Sequence, residues 1–89
     1  MSKEIHLITT PGCSACKLQE YLLEDVIENH PDIELKIYDH FDAPEWIKVN
    51  VLFNDFPVTV LIKDNVIKYH FTGTKKVRAI SQLIEDVKF

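Results

Sequence analysis

A short segment near the N-terminus places both cysteines of the chain where a strand-like run gives way to a helical one. The run Glu4–Thr9 is rich in β-branched and apolar residues, and Thr10–Gly12 breaks it. Apolar residues then recur in steps of three and four, which indicates a helix. Asn29–Pro31 ends that helix, because the residue before a proline is pushed out of the helical region. We therefore expect Cys13 near the helix N-terminus and Cys16 inside its first turn. The apolar positions that define this helix are Ala15, Leu18, Leu22, Val26 and Ile27.

The rest of the chain predicts one small α/β domain covering residues 1–89. The full order is β-α-β-α-β-β-α, with a four-stranded mixed sheet flanked by three helices on both faces. The crossover through the first helix makes the first two strands parallel neighbours, and the last two strands form an antiparallel hairpin. The later elements are a strand at Ile33–Tyr38, a short helix within Ala43–Phe53 with Pro44 in its first turn, strands at Val58–Ile62 and Val66–Phe71, and a helix from Thr74 onward.

Composition narrows the function classes. Hydrophobic residues make up 46% of the 89 residues, which is typical of a globular domain. Ten Lys and Arg against fourteen Asp and Glu give a net charge of −4, and the only basic cluster is Lys75, Lys76 and Arg78, so a nucleic-acid partner is not expected. No apolar run is long enough for a transmembrane helix, and the N-terminus lacks the features of a signal peptide. We expect a cytoplasmic protein with no membrane partner.

The spacing of the two cysteines favours a bond that is made and broken. A Cys13–Cys16 bridge closes so short a loop that it stabilises the fold by only about 2 kcal/mol. The thiolate is the nucleophile, and a free cysteine has a pKa of about 8.5. Unpaired N–H groups and the helix dipole favour the anion at Cys13, and Lys17 adds a positive charge nearby. Cys16, one turn away, is placed to attack a mixed disulfide formed by Cys13.

Two other interpretations of the cysteines stay open. Structural zinc usually needs four ligands, and no two of the histidines His6, His30, His40 and His70 lie at ligand spacing. Zinc or an iron–sulfur cluster would require two chains that each donate their cysteine pair, which is a non-enzymatic binding module. The pair could also be two unreactive thiols in a turn. For the redox interpretation we expect no metal and no organic cofactor, only the redox-active disulfide.

Two segments of the chain resemble characteristic parts of the thioredoxin superfamily. Thr9–Lys17 follows a strand and opens a helix, and it is similar to the active-site segment of that superfamily. Phe56–Ile62, with Lys63–Val66 behind it, is similar to the superfamily's cis-proline loop and hairpin. Gly73 falls where these folds often place a glycine after the last strand. The order of elements matches over essentially the whole chain, and the short length and the T-T-P-x-C-x-x-C-K opening resemble glutaredoxins.

The resemblance implies a thioredoxin-like fold and a small glutaredoxin-like or thioredoxin-like oxidoreductase of electron transport and cell redox homeostasis. It implies that Cys13 is the nucleophile, that Cys16 resolves the mixed disulfide, and that Pro57 is cis and faces both. The alternative for Pro57 is a plain proline at the start of a strand. We expect a monomer that acts on disulfide-containing proteins and is reduced by a thioredoxin-reductase-type partner or by glutathione. The residues expected to contact substrate are Gly12, Ser14, Ala15, Phe56 and Pro57.

Parallel strands bring further side chains toward the cysteines. The second strand ends beside the first, so Asp39 and His40 are expected close to Cys13. A histidine can relay a proton near neutral pH, whereas a carboxylate near a thiol raises the pKa of that thiol. Together with Lys17, these two residues are candidate modulators of the cysteines. A turn histidine that is merely exposed is the competing interpretation of His40.

Overall fold

The computed structural model describes residues 2–89, and within them the elements follow the predicted order. Each strand and helix that the sequence predicts is present, which confirms the α/β class. Most boundaries agree within one residue, and the exceptions are the second and third helices. The elements are β1 (Lys3–Thr9), α1 (Ser14–Asn29), β2 (Ile33–Asp39), α2 (Glu45–Lys48), β3 (Val58–Lys63), β4 (Val66–Thr72) and α3 (Val77–Asp86).

The sheet has the strand order β2-β1-β3-β4. β1 and β2 are parallel and in register, with Thr9 opposite Asp39, which confirms the predicted crossover. β3 is antiparallel to β1, with Val58 opposite Ile8, and β4 completes the predicted antiparallel hairpin. The ends of β1 and β2 and the start of β3 therefore meet at one end of the sheet. The cysteines follow β1 at that end.

Helices pack on both faces of the sheet, as predicted. Successive side chains of a strand point to opposite faces, so Ile5 and Leu7 of β1 lie in one cluster and Ile8 lies in the other. The first cluster joins Leu23 and Val26 of α1 to residues of α3. The second cluster is closed by Ile47 of α2. Each fully buried aliphatic side chain of this kind contributes roughly 1.5–3 kcal/mol to folding.

The apolar positions that predict α1 differ in part from the residues that α1 buries. Ala15 and Leu18 are exposed, Leu18 by 51%, and Leu22 is only half-buried. The buried residues are Cys16, Gln19, Leu23 and Val26, which also follow steps of three and four. The two stripes differ by a rotation of one residue, and Val26 fits both. Leu23 and Val26 pack in the first cluster, so the set of positions that contains them is the buried one. A hydrophobicity pattern does not reveal this set, because it includes the polar Gln19.

The second helix is short and lies within the predicted segment. The sequence predicts a short helix within Ala43–Phe53, and α2 covers Glu45–Lys48, beginning after Pro44. Val51 is buried in the second cluster, whereas Val49 and Leu52 are exposed by 70% and 72%. The Val51 N–H still donates to the Ile47 carbonyl over 2.9 Å, so a helical turn continues past Lys48 and keeps Val51 on the buried face of Ile47.

The third helix begins later than the sequence predicts. The sequence predicts a helix from Thr74 onward, whereas α3 begins at Val77, with Lys76 in an extended conformation before it. Residues 73–76 connect β4 to α3 as an irregular segment. The backbone N–H of Lys75 in this segment donates a hydrogen bond to a side chain of α1.

Candidate active site

The two cysteines form a disulfide at the start of α1. Their Cα atoms are 5.2 Å apart. Cys13 occupies the N-cap position of α1 and is half-buried, whereas Cys16 lies in the first turn and is only 4% exposed. The placement of both residues relative to the helix is as predicted. Cys13 is therefore partly reachable from solvent, whereas Cys16 is shielded.

The start of α1 provides a hydrogen-bond donor for Cys13. The backbone N–H of Cys16 donates to Cys13 Sγ over 3.0 Å. A backbone donor and the positive end of a helix dipole both favour negative charge at such a position. Gly12 precedes Cys13 with φ +74°, a left-handed conformation that suits glycine. Lys17 is exposed in the first turn, on the same end of the helix.

A groove of about 530 Å³ runs beside the disulfide, between the start of α1 and the end of β2. Its floor and walls come from the turn that joins β1 to α1, and Ile37 of β2 borders it with 42% exposure. Glu20 and Ile37 were not among the predicted site residues, because neither belongs to the cysteine motif or to another recognisable motif. The lining residues are Thr9, Thr10, Pro11, Gly12, Cys13, Ser14, Cys16, Lys17, Glu20 and Ile37.

The Pro57 loop lies at the same end of the sheet as the cysteines. The Phe56–Pro57 peptide bond is cis, and Pro57 is buried immediately before β3. The carbonyl of Pro57 accepts a hydrogen bond from Gly73 N–H over 2.9 Å, and Gly73 has φ +85°. Because Val58 pairs with Ile8, the loop flanks the end of β1 on the side opposite β2.

His40 and Asp39 lie beside the end of β1, as expected from the parallel pairing. The backbone N–H of His40 donates to the carbonyl of Thr9 over 2.8 Å. The His40 ring centroid is 3.9 Å from that of Phe41 and 5.2 Å from that of Phe56. Asp39 Oδ1 accepts the Phe41 N–H and lies 3.3 Å from His40 Nδ1. His40 therefore connects the end of β1 to the Pro57 loop.

One buried polar residue near the cysteines was missed by the sequence analysis. Gln19 lies three residues after Cys16 on the same buried face of α1 and is fully buried. Its Oε1 atom accepts the Lys75 backbone N–H over 2.8 Å. The signal that identifies it is its spacing from Cys16, because residues three apart share a helix face.

Two kinds of feature are absent from the described residues 2–89. No three His, Cys, Asp or Glu side chains in this part of the chain are grouped so that they could hold a metal ion. None of the helices formed by these residues is both long enough and apolar enough to cross a membrane.

The sheet order, the helices on both faces and a cysteine pair at the start of the first helix define the thioredoxin fold. The structure is similar to desulfothioredoxin from Desulfovibrio vulgaris Hildenborough, with a TM-score of 0.84 and 24% identity over 97% of this chain and 82% of that one. It is also similar to mitochondrial thioredoxin 3 from Saccharomyces cerevisiae, with a TM-score of 0.77 and 24% identity over 96% and 78% of the two chains. Thioredoxin 1 from Thermosipho africanus gives a TM-score of 0.74 and 18% identity over 93% and 91%. No protein-family model and no curated protein matches the sequence. At these identities the similarity establishes the fold, and it confirms the fold that the resemblance implied.

Proposed function

We propose that the protein is a thiol–disulfide oxidoreductase. The observation that carries this proposal is the asymmetry of the cysteine pair. Cys13 is half-exposed at the helix N-terminus, whereas Cys16 is buried within bonding distance of it. An accessible sulfur that is stabilised as a thiolate suits attack on an external disulfide, and a shielded sulfur beneath it suits resolution of the intermediate.

The reaction consists of two exchange steps. The Cys13 thiolate attacks one sulfur of a substrate disulfide, forms a mixed disulfide and releases the first substrate thiolate. Cys16 then loses its proton, and its thiolate attacks Cys13 Sγ and displaces the second substrate thiolate. Two electrons pass to the substrate, whose two thiolates take up the Cys16 proton and one proton from solvent, and the protein is left with the Cys13–Cys16 disulfide. An external thiol donor reverses these steps and returns the dithiol.

The surroundings of Cys13 support a protein substrate. Gly12, Ser14 and Ala15 are exposed around Cys13, and Pro57 and Phe56 flank the same end of the sheet. Proline has no N–H, and an extended chain that passes over this loop can pair with the neighbouring backbone, as in β-strand addition. We propose that these five residues contact a disulfide-bearing protein segment.

Charged neighbours are proposed to tune the reactivity of Cys13 in opposite directions. Lys17 favours the Cys13 thiolate, and Asp39 disfavours it. His40, hydrogen bonded to the end of β1, is the proposed proton relay. We propose a cytoplasmic monomer of glutaredoxin-like size that needs no metal or organic cofactor. Its electron donor is a thioredoxin-reductase-type protein or glutathione, and recycling assays with each donor distinguish the two.

Two cysteine variants test the proposal with insulin disulfides as the substrate. Cys13→Ser removes the attacking sulfur, so we expect no reduction and no mixed disulfide. Cys16→Ser keeps the first step but not the second, so a covalent adduct through Cys13 should accumulate and be seen by mass spectrometry. Full activity of Cys13→Ser would refute the assignment. One zinc ion or cluster bound per two chains, with no reductase activity, would instead support the binding module.

A further inference from the structure

Gln19 is a buried polar residue placed directly behind the proposed redox site. It is fully buried on the face of α1 that also carries Cys16. A buried amide costs free energy unless it is hydrogen bonded, and Gln19 Oε1 accepts the Lys75 N–H over 2.8 Å. The only other glutamine of the chain, Gln82, is exposed on α3 and binds Asp86. Packing of apolar side chains therefore does not explain why a glutamine is buried at this position.

The chain segment that Gln19 contacts is also hydrogen bonded to the Pro57 loop. Lys75 lies two residues after Gly73, whose N–H donates to the Pro57 carbonyl over 2.9 Å. The side chain of Lys75 also lies against the sheet, with Nζ 5.3 Å from the ring centroid of Phe71. The segment 73–75 is thus hydrogen bonded to the Pro57 loop at one end and to the cysteine-bearing helix at the other.

We propose that Gln19 is a positioning residue that holds segment 73–75, and through it the Pro57 loop, in register with the Cys13–Cys16 pair. This inference rests on the proposed function and specifies its substrate class. A protein disulfide that lies across both Cys13 and the Pro57 loop requires the two to be in register. A small disulfide reagent requires only access to Cys13 Sγ. Gln19 therefore favours protein disulfides over small ones.

The variant Gln19→Met separates this role from a purely structural one. Methionine fills a similar volume, and its thioether sulfur is only a weak acceptor for the Lys75 N–H. It also removes Gln19 Nε2, which is buried and has no hydrogen-bond partner within residues 2–89, so the fold should not be weakened as a whole. We expect KM for insulin to rise about fivefold, which corresponds to one lost hydrogen bond. The rate of reaction of the dithiol with 5,5′-dithiobis(2-nitrobenzoate) should stay unchanged.

Amide hydrogen exchange tests the connection without any catalytic readout. The Lys75 N–H should exchange about fivefold faster in Gln19→Met than in the wild-type protein. Gln19→Glu keeps an acceptor oxygen and, buried without a cation, stays protonated, so it should restore the protection of Lys75. Gln82→Met, which replaces the exposed glutamine, is the matched control and should alter neither that protection nor the KM for insulin.

Two results would overturn the inference. One is an unchanged Lys75 exchange rate in Gln19→Met, and the other is an equal loss of activity toward insulin and toward the small reagent. If the wild-type protein reduces neither substrate, the proposed function itself is wrong. A faster Lys75 exchange in Gln19→Met would then still establish the hydrogen bond while refuting its part in substrate selection.

Discussion

Replacing Glu4 by glutamine should make the stability of the fold less sensitive to acid. Glu4 Oε1 lies 2.6 Å from His6 Nε2 and 3.2 Å from Lys36 Nζ, and Glu4 Oε2 accepts the Ser2 hydroxyl over 2.9 Å. His6 is 3% exposed and bonds Tyr38 through its other ring nitrogen. The His6 hydrogen bond, helped by Ser2 and Lys36, outweighs partial burial and lowers the pKa of the Glu4 carboxyl from 4.5 to about 2.

The magnitude follows from the pKa of Glu4. A shift from 4.5 to about 2 corresponds to roughly 3 kcal/mol if the whole shift acts on folding. Glu4 keeps 15% exposure and Lys36 keeps 43%, so screening by solvent reduces the effect to on the order of 1–2 kcal/mol. The folded-state pKa lies below the unfolded one. This stabilisation is therefore present above about pH 4.5 and is lost as the pH falls toward about 2.

Urea unfolding at about pH 7 and about pH 2.5 measures this difference. The amide introduced by Glu4→Gln still accepts a hydrogen bond from His6 but carries no charge. Glu4→Gln should be less stable than the wild type by about 1–2 kcal/mol at neutral pH, and the two should converge in acid. Glu24→Gln, on the exposed side of α1, is the control and should respond to acid like the wild type. Equal acid losses in Glu4→Gln and the wild type would refute the reasoning.

Two further substitutions test buried polar groups. Burial raises the pKa of Tyr38, so stability should fall as the pH rises through about 10, and Tyr38→Phe should lose less in the same alkaline titration. A Tyr38→Phe titration identical to that of the wild type would contradict this. The Thr59 hydroxyl is fully buried without a hydrogen-bond partner in the described chain. Thr59→Val should therefore stabilise the protein by about 1 kcal/mol and raise its Tm by about 4–8 °C. Thr72→Val, exposed on β4, is the control, and a lower Tm for Thr59→Val would argue against this account.

Local signals in the sequence predicted most of the elements. The proline and glycine before Cys13 end β1, and the proline after His30 prevents α1 from continuing. Alternation predicted β2, and the apolar run Val58–Ile62 predicted the central strand β3. These signals act within a few residues, so they do not depend on how the chain packs.

Packing decides between local alternatives in two segments of the chain, and local sequence signals do not predict the outcome there. Two stripes of α1 satisfy the helical period, and the sheet selects the one that contains Gln19 rather than the one that contains Leu18. The segment after Pro44 is apolar enough for a longer helix, but Val49 and Leu52 are exposed and α2 ends at Lys48. In α1 the polar Gln19 is buried, and after α2 the apolar Val49 and Leu52 are exposed. Hydrophobicity alone predicts the opposite burial at each of these positions.

The sequence by itself determined that Cys13 and Cys16 stand at the start of a helix, because a strand, a turn and a helical period adjoin there along the chain. Only the tertiary structure decided that Cys16 is buried while Cys13 is partly exposed, and that the Pro57 loop flanks the end of β1. It also decided that Gln19 reaches Lys75. The physical reason is that sheet register and helix packing join residues far apart in sequence, and a local pattern carries no information about such partners.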